Sequence, residues 1–440
     1  MSPPLLYTLI ILAYLPGLIA LVVWQKCWRF PILFAAFVGM LVFNALGSIS
    51  VLSDEKIYRL AFDSGEVREE FTLIIVYQAL IFYIVAGTYI GLRKPVAVEP
   101  QASRIDILFC SIIALLILLI AGLYFLETGT FLLFSSLDGS MTIENALSFR
   151  DKYVYGLKHW PFYNVGFIFL PILLSSYGLI LAKSHRRFRT LFSAAIIISF
   201  AASASLGSKA GVINFVLSLG IAYMAYLGMT GQSIFRVMRN PIFLCFIAAS
   251  LALLIVGYIW ATPETLDANS LLQRLWYRVF VAYPDTIAAA ISYAREYGEL
   301  RESMLPTIRG LLPHDQINLS LALHTYQAGS SGGVSVPMAG EAFIAAGWAG
   351  VVLILPLIYL TLIFLQELTF CLTQGLTSIA FAALYAYLAI GLSQNGMFST
   401  LFNFMYPGTL IFLGLIALLL SWSLRKMHIA SPRLHVAQHE

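Results

Sequence analysis

The feature of this sequence that most limits its fold is a series of long apolar runs that contain almost no charged residue. An α-helix rises about 1.5 Å per residue, so roughly 20 apolar residues cross about 30 Å of hydrocarbon. About eleven segments meet this requirement and are predicted to span a membrane. They lie at residues 4–24, 30–52, 71–92, 107–126, 161–182, 190–206, 211–230, 241–261, 338–365, 377–395 and 407–424.

The composition agrees with a membrane protein and excludes a soluble domain. The chain is 60% hydrophobic and 11% charged, whereas soluble domains contain roughly 25% charged residues. We therefore predict an all-α fold, a polytopic transmembrane helical bundle that forms one integral membrane domain over residues 1–440. The net charge of +4 is small and unclustered, which argues against nucleic acid as a partner. The four cysteines show no CxxC spacing and indicate neither a disulfide framework nor a thiolate metal site.

The connections between the spans alternate in charge, and this alternation predicts the orientation. One set is basic and nearly free of acids, whereas the other mixes both signs. Because lysine and arginine concentrate in cytoplasmic loops, the basic set is expected to be cytoplasmic. The long loops, residues 127–160 and 262–337, are then on the outer side of the membrane. The basic set comprises Lys26, Arg29, Arg93, Lys94, Arg104, Lys183, Arg186, Arg187, Arg189, Arg236, Arg239, Arg425, Lys426 and Arg433.

The loop between the eighth and ninth spans, residues 262–337, is too long for a simple connector and is expected to carry function. Its patterning predicts two short amphipathic helices, at residues 271–281 and 286–297. The sequence Tyr283-Pro284-Asp285 is expected to separate them, because proline starts helices better than it continues them.

Several cations lie in segments predicted to be on the outer side. Guanidinium groups match phosphate oxygens bidentately, and an ammonium group acts as a compact charge, so such residues could hold the diphosphate of a membrane-anchored substrate. The alternative for the arginines is pairing with loop carboxylates, which is the interpretation we favour for Arg295 and Arg301. The alternative for the lysine is snorkelling to the membrane surface. The candidate cations are Arg150, Lys209, Arg274, Arg278 and Arg309.

Glu341 is the sharpest single signal, because a carboxylate at the start of an apolar span costs a few kcal/mol unless it is paired or faces a polar cavity. Small residues surround it in sequence, which allows neighbouring helices to approach closely. Glu341 could act as a base or bind a sugar hydroxyl, or it could simply pair with one of the arginines and fix the loop. His324, in the same loop, could contact substrate or move protons, although a lone loop histidine is more often incidental.

These features together resemble the Wzy-type O-antigen or oligosaccharide repeat-unit polymerases of bacterial inner membranes. Similar proteins have ten to fourteen spans and a large late periplasmic loop. An arginine before a middle span and a Gly-Ser/Thr-Arg turn both have counterparts here. In the turn, Lys209 replaces the usual arginine, so the charge is kept but the bidentate guanidinium group is lost. The corresponding positions are Arg150, Gly156, Pro171, Gly207, Ser208, Lys209, Arg278, Pro306 through Pro313, Pro337, Gly340, Glu341, Gly347 and Gly350.

The resemblance implies a metal-independent, inverting glycosyltransferase of the GT-C type that needs no cofactor. Its donor would be a growing glycan on undecaprenyl diphosphate, and its acceptor a single lipid-linked repeat unit. On this basis we predict Glu341 and Arg278 as catalytic residues, with Arg150, Lys209, Arg274, Arg309 and His324 contacting the substrate. The resemblance also implies a periplasmic active site, and a Wzz-type chain-length regulator and a flippase as partners.

Two other functions remain open. An O-antigen ligase or a similar lipid-linked glycan transferase would be expected to carry a loop histidine just before the small-residue segment, but His324 lies farther upstream. A transporter or flippase for lipid-linked glycans would be expected to show charged residues deep within several spans and symmetry between its halves, and neither pattern is visible.

Overall fold

The protein is described here by a computed structural model that covers residues 2–52, 65–95, 104–129, 165–184, 189–204, 209–232, 272–273, 276–299, 319–328, 335–371 and 376–394. Over these ranges the regular structure is helical and contains no strand, which confirms the predicted all-α class. The helices are α1 (Pro3–Val23), α2 (Pro31–Leu52), α3 (65–92), α4 (Arg104–Thr128), α5 (165–184), α6 (Arg189–Ala204), α7 (Lys209–Thr230), α8 (277–297), α9 (Leu319–Ala328), α10 (Met338–Cys371) and α11 (Leu376–Leu392).

Nine of the predicted spans coincide with helices of the structure. Five helices are long and apolar enough to cross a membrane, namely α1, α2, α3, α4 and α10. Four others, α5, α6, α7 and α11, are shorter but also apolar. The described residues thus contain the helices of a multi-pass membrane protein. The predicted spans at residues 241–261 and 407–424 lie outside the described residues.

Several helices contain a π-helical segment, in which the turn is wider by one residue. These segments are Met40–Leu46 in α2, Tyr83–Gly87 in α3, Val165–Phe169 in α5 and Tyr277–Val281 at the start of α8. Such segments are rare and often occur at functional sites. In α3 the widened turn begins at Tyr83, whose hydroxyl donates to Ala13 O of α1 (2.8 Å) and accepts from Gly17 N (3.2 Å).

Helix α11 forms the centre of the bundle, and almost every residue from 377 to 392 is buried. It packs on α2 where Gly39 lets the backbones approach, since a Cβ added at Gly39 would lie 3.2 Å from Ile390 Cα. The outer surfaces of α1 and α4, by contrast, expose leucine and isoleucine side chains. Apolar side chains on that surface match a hydrocarbon environment.

Basic connections gather at one end of the bundle, which we name the basic end. Lys26 Nζ donates to Gly91 O (2.7 Å), so the end of α1 lies beside the end of α3. Arg93 binds the carboxylate of Glu367 through Nε (2.7 Å) and Nη2 (2.9 Å), which brings the end of α10 to the same place. The alternation of helix directions therefore agrees with the alternation of loop charge in the sequence.

The opposite end carries both signs of charge, and we name it the mixed end. Arg295 near the end of α8 binds Glu66 and Glu70 at the start of α3. Trp276 Nε1 donates to Ser50 Oγ (3.1 Å) near the end of α2. Helix α8 therefore lies across the mixed end, beside the ends of membrane-spanning helices.

The predicted interruption of α8 is wrong. Instead of two short helices separated at Pro284, the chain forms one helix from Tyr277 to Tyr297. The α-helical part begins at Ala282, so Pro284 lies in its first turn, directly after the wider π-helical turns of Tyr277–Val281, and the helix continues through it. Gly298, with φ of +87°, ends the helix.

Candidate functional site

Helix α10 is broken near its start, which divides it into a short segment (338–345) and a long segment (348–371). Gly347 has φ of +55°, and Ala346 is also non-helical. A Cβ added at Gly350 would lie 2.0 Å from Ala342 O. In a continuous helix these two positions, eight residues apart, would instead be separated by about 12 Å along the axis. The chain therefore bends sharply, and the predicted single span 338–365 is two helices. The long segment, at about 36 Å, still suffices to cross the hydrocarbon.

The short segment lies in the interior of the mixed end. Each of its residues, from Met338 to Ala345, is buried. It packs on α8 through Gly340, where an added Cβ would lie 3.3 Å from Ile287 Cα. Ile344, Ala290 of α8 and Leu323 of α9 belong to one apolar cluster. The small residues noted in the sequence therefore serve a close helix contact.

Glu341 is the acidic residue of this buried segment. It lies in the first turn of α10 and is only 6% exposed. Its backbone N–H donates to Pro337 O (3.0 Å). A buried carboxylate needs compensating hydrogen bonds or charges to remain ionised. The position is therefore suited to a group that exchanges a proton or accepts hydrogen bonds from a bound hydroxyl.

A second buried carboxylate, that of Asp285, was not singled out from the sequence. Asp285 is 2% exposed and lies in the run of residues 284–291 that is buried in α8. Its Oδ2 atom accepts a hydrogen bond from the hydroxyl of Tyr277 (3.0 Å). The sequence placed Asp285 in a turn, because proline precedes it. The signal that could have identified it is the apolar run of residues 287–291 that follows.

Arg278 lies on the same helix, in the π-helical segment Tyr277–Val281. Its neighbour Tyr277 is the residue that binds Asp285. The segment is pressed against α2, since a Cβ added at Gly47 would lie 1.7 Å from Phe280 O. Helix α8 thus carries the Arg278 backbone, the buried Asp285 and the surface that contacts the segment of Glu341.

The structure places two more of the predicted site residues. Lys209 is the first residue of α7, whose other end lies at the basic end, because a Cβ added at Gly228 would be 1.9 Å from Trp28 O. The Lys209 backbone therefore lies toward the mixed end. His324 is in the middle of α9 and is half-buried. Arg150, Arg274 and Arg309 lie outside the described residues.

An ion-pair cluster forms the rim of the mixed end. Arg295 donates from Nε to Glu70 Oε2 (2.9 Å) and from Nη1 to Glu66 Oε2 (2.6 Å). The hydrogen bonds to Glu70 and then Glu66 raise the pKa of Arg295. The expectation that Arg295 forms ion pairs is confirmed, but its partners come from α3 and not from the glutamates next to it in sequence.

The site thus combines two buried carboxylates with a helix that carries an arginine, at one end of a membrane bundle. The carboxylates can accept protons or hydrogen bonds from hydroxyl groups. Among the residues that the structure describes, no group of three or more His, Cys, Asp or Glu side chains is arranged to hold a metal ion. The family resemblance depends on topology and on short motifs, and it stays a prediction. No protein-family model, curated protein or solved structure matches the chain.

Proposed function

We propose that this protein is a glycosyltransferase that polymerises undecaprenyl-diphosphate-linked oligosaccharide repeat units into O-antigen or a similar surface polysaccharide. The observation that carries the proposal is the burial of Glu341 in a short helix packed against α8, the helix whose first turn contains Arg278. A buried carboxylate at one end of a membrane bundle, beside an arginine-bearing helix, suits transfer of a sugar from a lipid diphosphate.

The proposed step is an inverting displacement. An acceptor hydroxyl oxygen attacks the anomeric carbon of the donor glycan, and the bond from that carbon to the diphosphate oxygen breaks. Glu341 accepts the hydroxyl proton as a general base. Polyprenyl diphosphate leaves with the bonding electrons, and cations stabilise its charge. Arg278 is the proposed main contact to the diphosphate, with Arg150, Lys209, Arg274 and Arg309 as further contacts.

The proposal places the protein in the bacterial inner membrane with its mixed end in the periplasm. The difference in charge between the two ends supports this orientation, because the basic end is the one expected in the cytoplasm. The proposed substrates are two lipid-linked oligosaccharides that reach the site from the membrane. A Wzz-type chain-length regulator and a flippase are the proposed partners.

The test is complementation of a deletion strain, with the surface polysaccharide separated on a gel. Glu341→Gln should reduce the ladder of polymer to single repeat units on the lipid core, because the base is lost while the shape is kept. Glu367→Gln is the matched control, since Glu367 lies at the other end of the same helix. It should leave the ladder intact.

Substitutions of arginines at the two ends of the bundle provide a second test of the site. Arg278→Ala and Arg150→Ala should also yield single repeat units, while Arg93→Ala at the basic end should not. Normal ladders from Glu341→Gln and Arg278→Ala, with protein levels unchanged, would contradict the site. If the deletion strain showed no surface glycan at all, export would be the function. If it kept free polymer that is not joined to the lipid core, the protein would be a ligase.

A further inference from the structure

Three tyrosines form a compact aromatic group at the mixed end, which we name the tyrosine platform. Tyr293 and Tyr297 lie one turn apart on α8, with ring centroids 4.9 Å apart. Tyr326 of α9 meets both rings edge-on, at centroid distances of 5.5 Å and 6.0 Å. Two separate helices therefore contribute to one aromatic surface.

The rings are held in place, yet one of them remains open to the outside. The hydroxyl of Tyr326 donates to Glu296 Oε2 (3.1 Å), and the apolar cluster that contains Leu323 and Ala290 joins α9 to α8. The Tyr297 side chain is nevertheless 62% exposed. A hydrogen bond to Glu296 raises the pKa of Tyr297. An exposed ring with a fixed orientation suits stacking against a ligand.

The charge around the tyrosine platform indicates which ligand it fits. Glu296 lies on α8 and Glu299 just beyond its end, and Glu66 and Glu70 lie at the adjacent start of α3. Arg295 is already bound by Glu66 and Glu70. Among the described residues of these segments, the carboxylates of Glu66, Glu69, Glu70, Glu296 and Glu299 outnumber the guanidinium groups of Arg68 and Arg295, which disfavours a phosphate or an anionic lipid surface. Carboxylates accept hydrogen bonds from hydroxyl groups, and tyrosine rings cover the apolar C–H faces of sugar rings. The combination fits a glycan.

The helices that form the tyrosine platform also contact the short segment of α10 that contains Glu341. A Cβ added at Gly347 would lie 2.9 Å from Glu299 Oε1, so the end of α8 reaches the bend of α10. Ile344, one turn after Glu341, packs in the apolar cluster that supports α9. A glycan resting on the tyrosines would therefore be held by the same helices that hold the buried carboxylate.

We propose that Tyr293, Tyr297 and Tyr326 form a binding site for the sugar units of the lipid-linked oligosaccharide, separate from the cations that would bind its diphosphate. The inference rests on the proposed function, because that function supplies the glycan. It assigns the sugar units of the substrate to the acidic surface around the tyrosines, and the diphosphate to the cations.

The test uses purified protein in nanodiscs and the repeat-unit oligosaccharide released from its lipid by mild acid. Saturation-transfer NMR measures its binding without any need for catalysis. Tyr297→Ala should raise the dissociation constant of this oligosaccharide about tenfold, a loss typical of one aromatic contact. Tyr297→Phe, which keeps the ring, should bind within about twofold of the wild type. Phe364→Ala, an exposed aromatic position on the long segment of α10, is the matched control and should bind as the wild type does.

The outcomes separate this inference from the proposed function. Unchanged oligosaccharide binding by Tyr297→Ala, or no binding by the wild type, overturns the platform whatever the polysaccharide gel shows. A Tyr297→Ala protein that binds oligosaccharide normally but loses affinity for anionic vesicles would make the tyrosines a membrane contact, and the inference would also fail. Weakened binding by Tyr297→Ala supports the platform even if Glu341→Gln leaves the ladder intact, in which case only the proposed reaction is wrong.

Discussion

Individual polar residues inside this bundle have specific structural tasks. Gln366 accepts a hydrogen bond from Ile32 N (3.1 Å) at the start of α2, where no helical acceptor exists. Asp106 does the same for α11, since its Oδ1 accepts from Thr377 N (3.0 Å) and Thr377 Oγ1 (2.8 Å). Tyr177 donates to the same threonine hydroxyl (2.8 Å). Buried helix ends are thus satisfied by side chains of other helices.

Replacement of Asp106 by alanine should destabilise the bundle. The change removes the one oxygen that accepts from both donors of Thr377 and leaves these buried donors unsatisfied, so the free energy of unfolding should fall by about 1–2 kcal/mol. Asp106→Asn keeps an acceptor oxygen and should lose less. Unfolding of the purified protein in mixed micelles measures the difference. Glu127→Ala, at the exposed opposite end of α4, is the control. Equal stability of the two alanine variants would contradict this capping role.

At the level of the elements, the bend in α10 decides where Glu341 lies. A straight helix over Met338–Cys371 would extend about 51 Å and would carry its start far beyond the hydrocarbon. The bend at Gly347 instead folds the short segment back into the mixed end. Glycine is needed there because a φ of +55° is strained for other residues. Gly350 is needed because it touches the Ala342 carbonyl.

A methyl group at Gly350 should therefore disturb this bend. The added Cβ would lie 2.0 Å from a backbone oxygen, so the two segments would have to separate. Gly350→Ala should lower the melting temperature in detergent by several degrees and abolish polymer formation. Gly122→Ala is the matched control, because an added Cβ there has no neighbour within 4 Å among the described residues. The same melting temperature in both variants would show that the bend tolerates the contact.

At the level of the whole molecule, the two ends differ in charge and in exposed chemistry. Cys371 lies at the basic end and is exposed, whereas Cys27 near the same end is buried. Burial raises the pKa of the Cys27 thiol to about 11, so at pH 8 it stays protonated and unreactive. Cys110 within α4 is also buried. Among the described cysteines, the exposed Cys371 is thus the one whose labelling can show on which side of the membrane the basic end lies.

The proposed orientation predicts the labelling of Cys371 by a membrane-impermeant maleimide at pH 8, in a Cys245→Ser background. Right-side-out spheroplasts should show no labelling, whereas inside-out vesicles should be labelled. Glu66→Cys places a thiol at the mixed end, where the Glu66 side chain is 78% exposed, and should show the reverse pattern. Labelling of Cys371 in intact spheroplasts would invert the topology and move the candidate site to the cytoplasm.

The sequence by itself determined the helical class, nine of the helices and the alternation of basic and mixed ends. These properties follow from the length and charge of local segments, because a hydrocarbon layer imposes the same condition on every span. Glu341 was also identifiable, since its charge conflicts with its apolar surroundings.

Only the tertiary structure decided which residues meet. The structure pairs Arg295 with Glu66 and Glu70 and brings Tyr326 into contact with Tyr297, and both contacts join segments that are distant in sequence. It also buries Asp285, at a position where the local sequence predicted a turn. Proline before Asp285 indicated a turn, yet packing on α2 holds the chain in one continuous helix. Such outcomes depend on which helices are neighbours, and that is set by the close packing of small residues across the whole bundle.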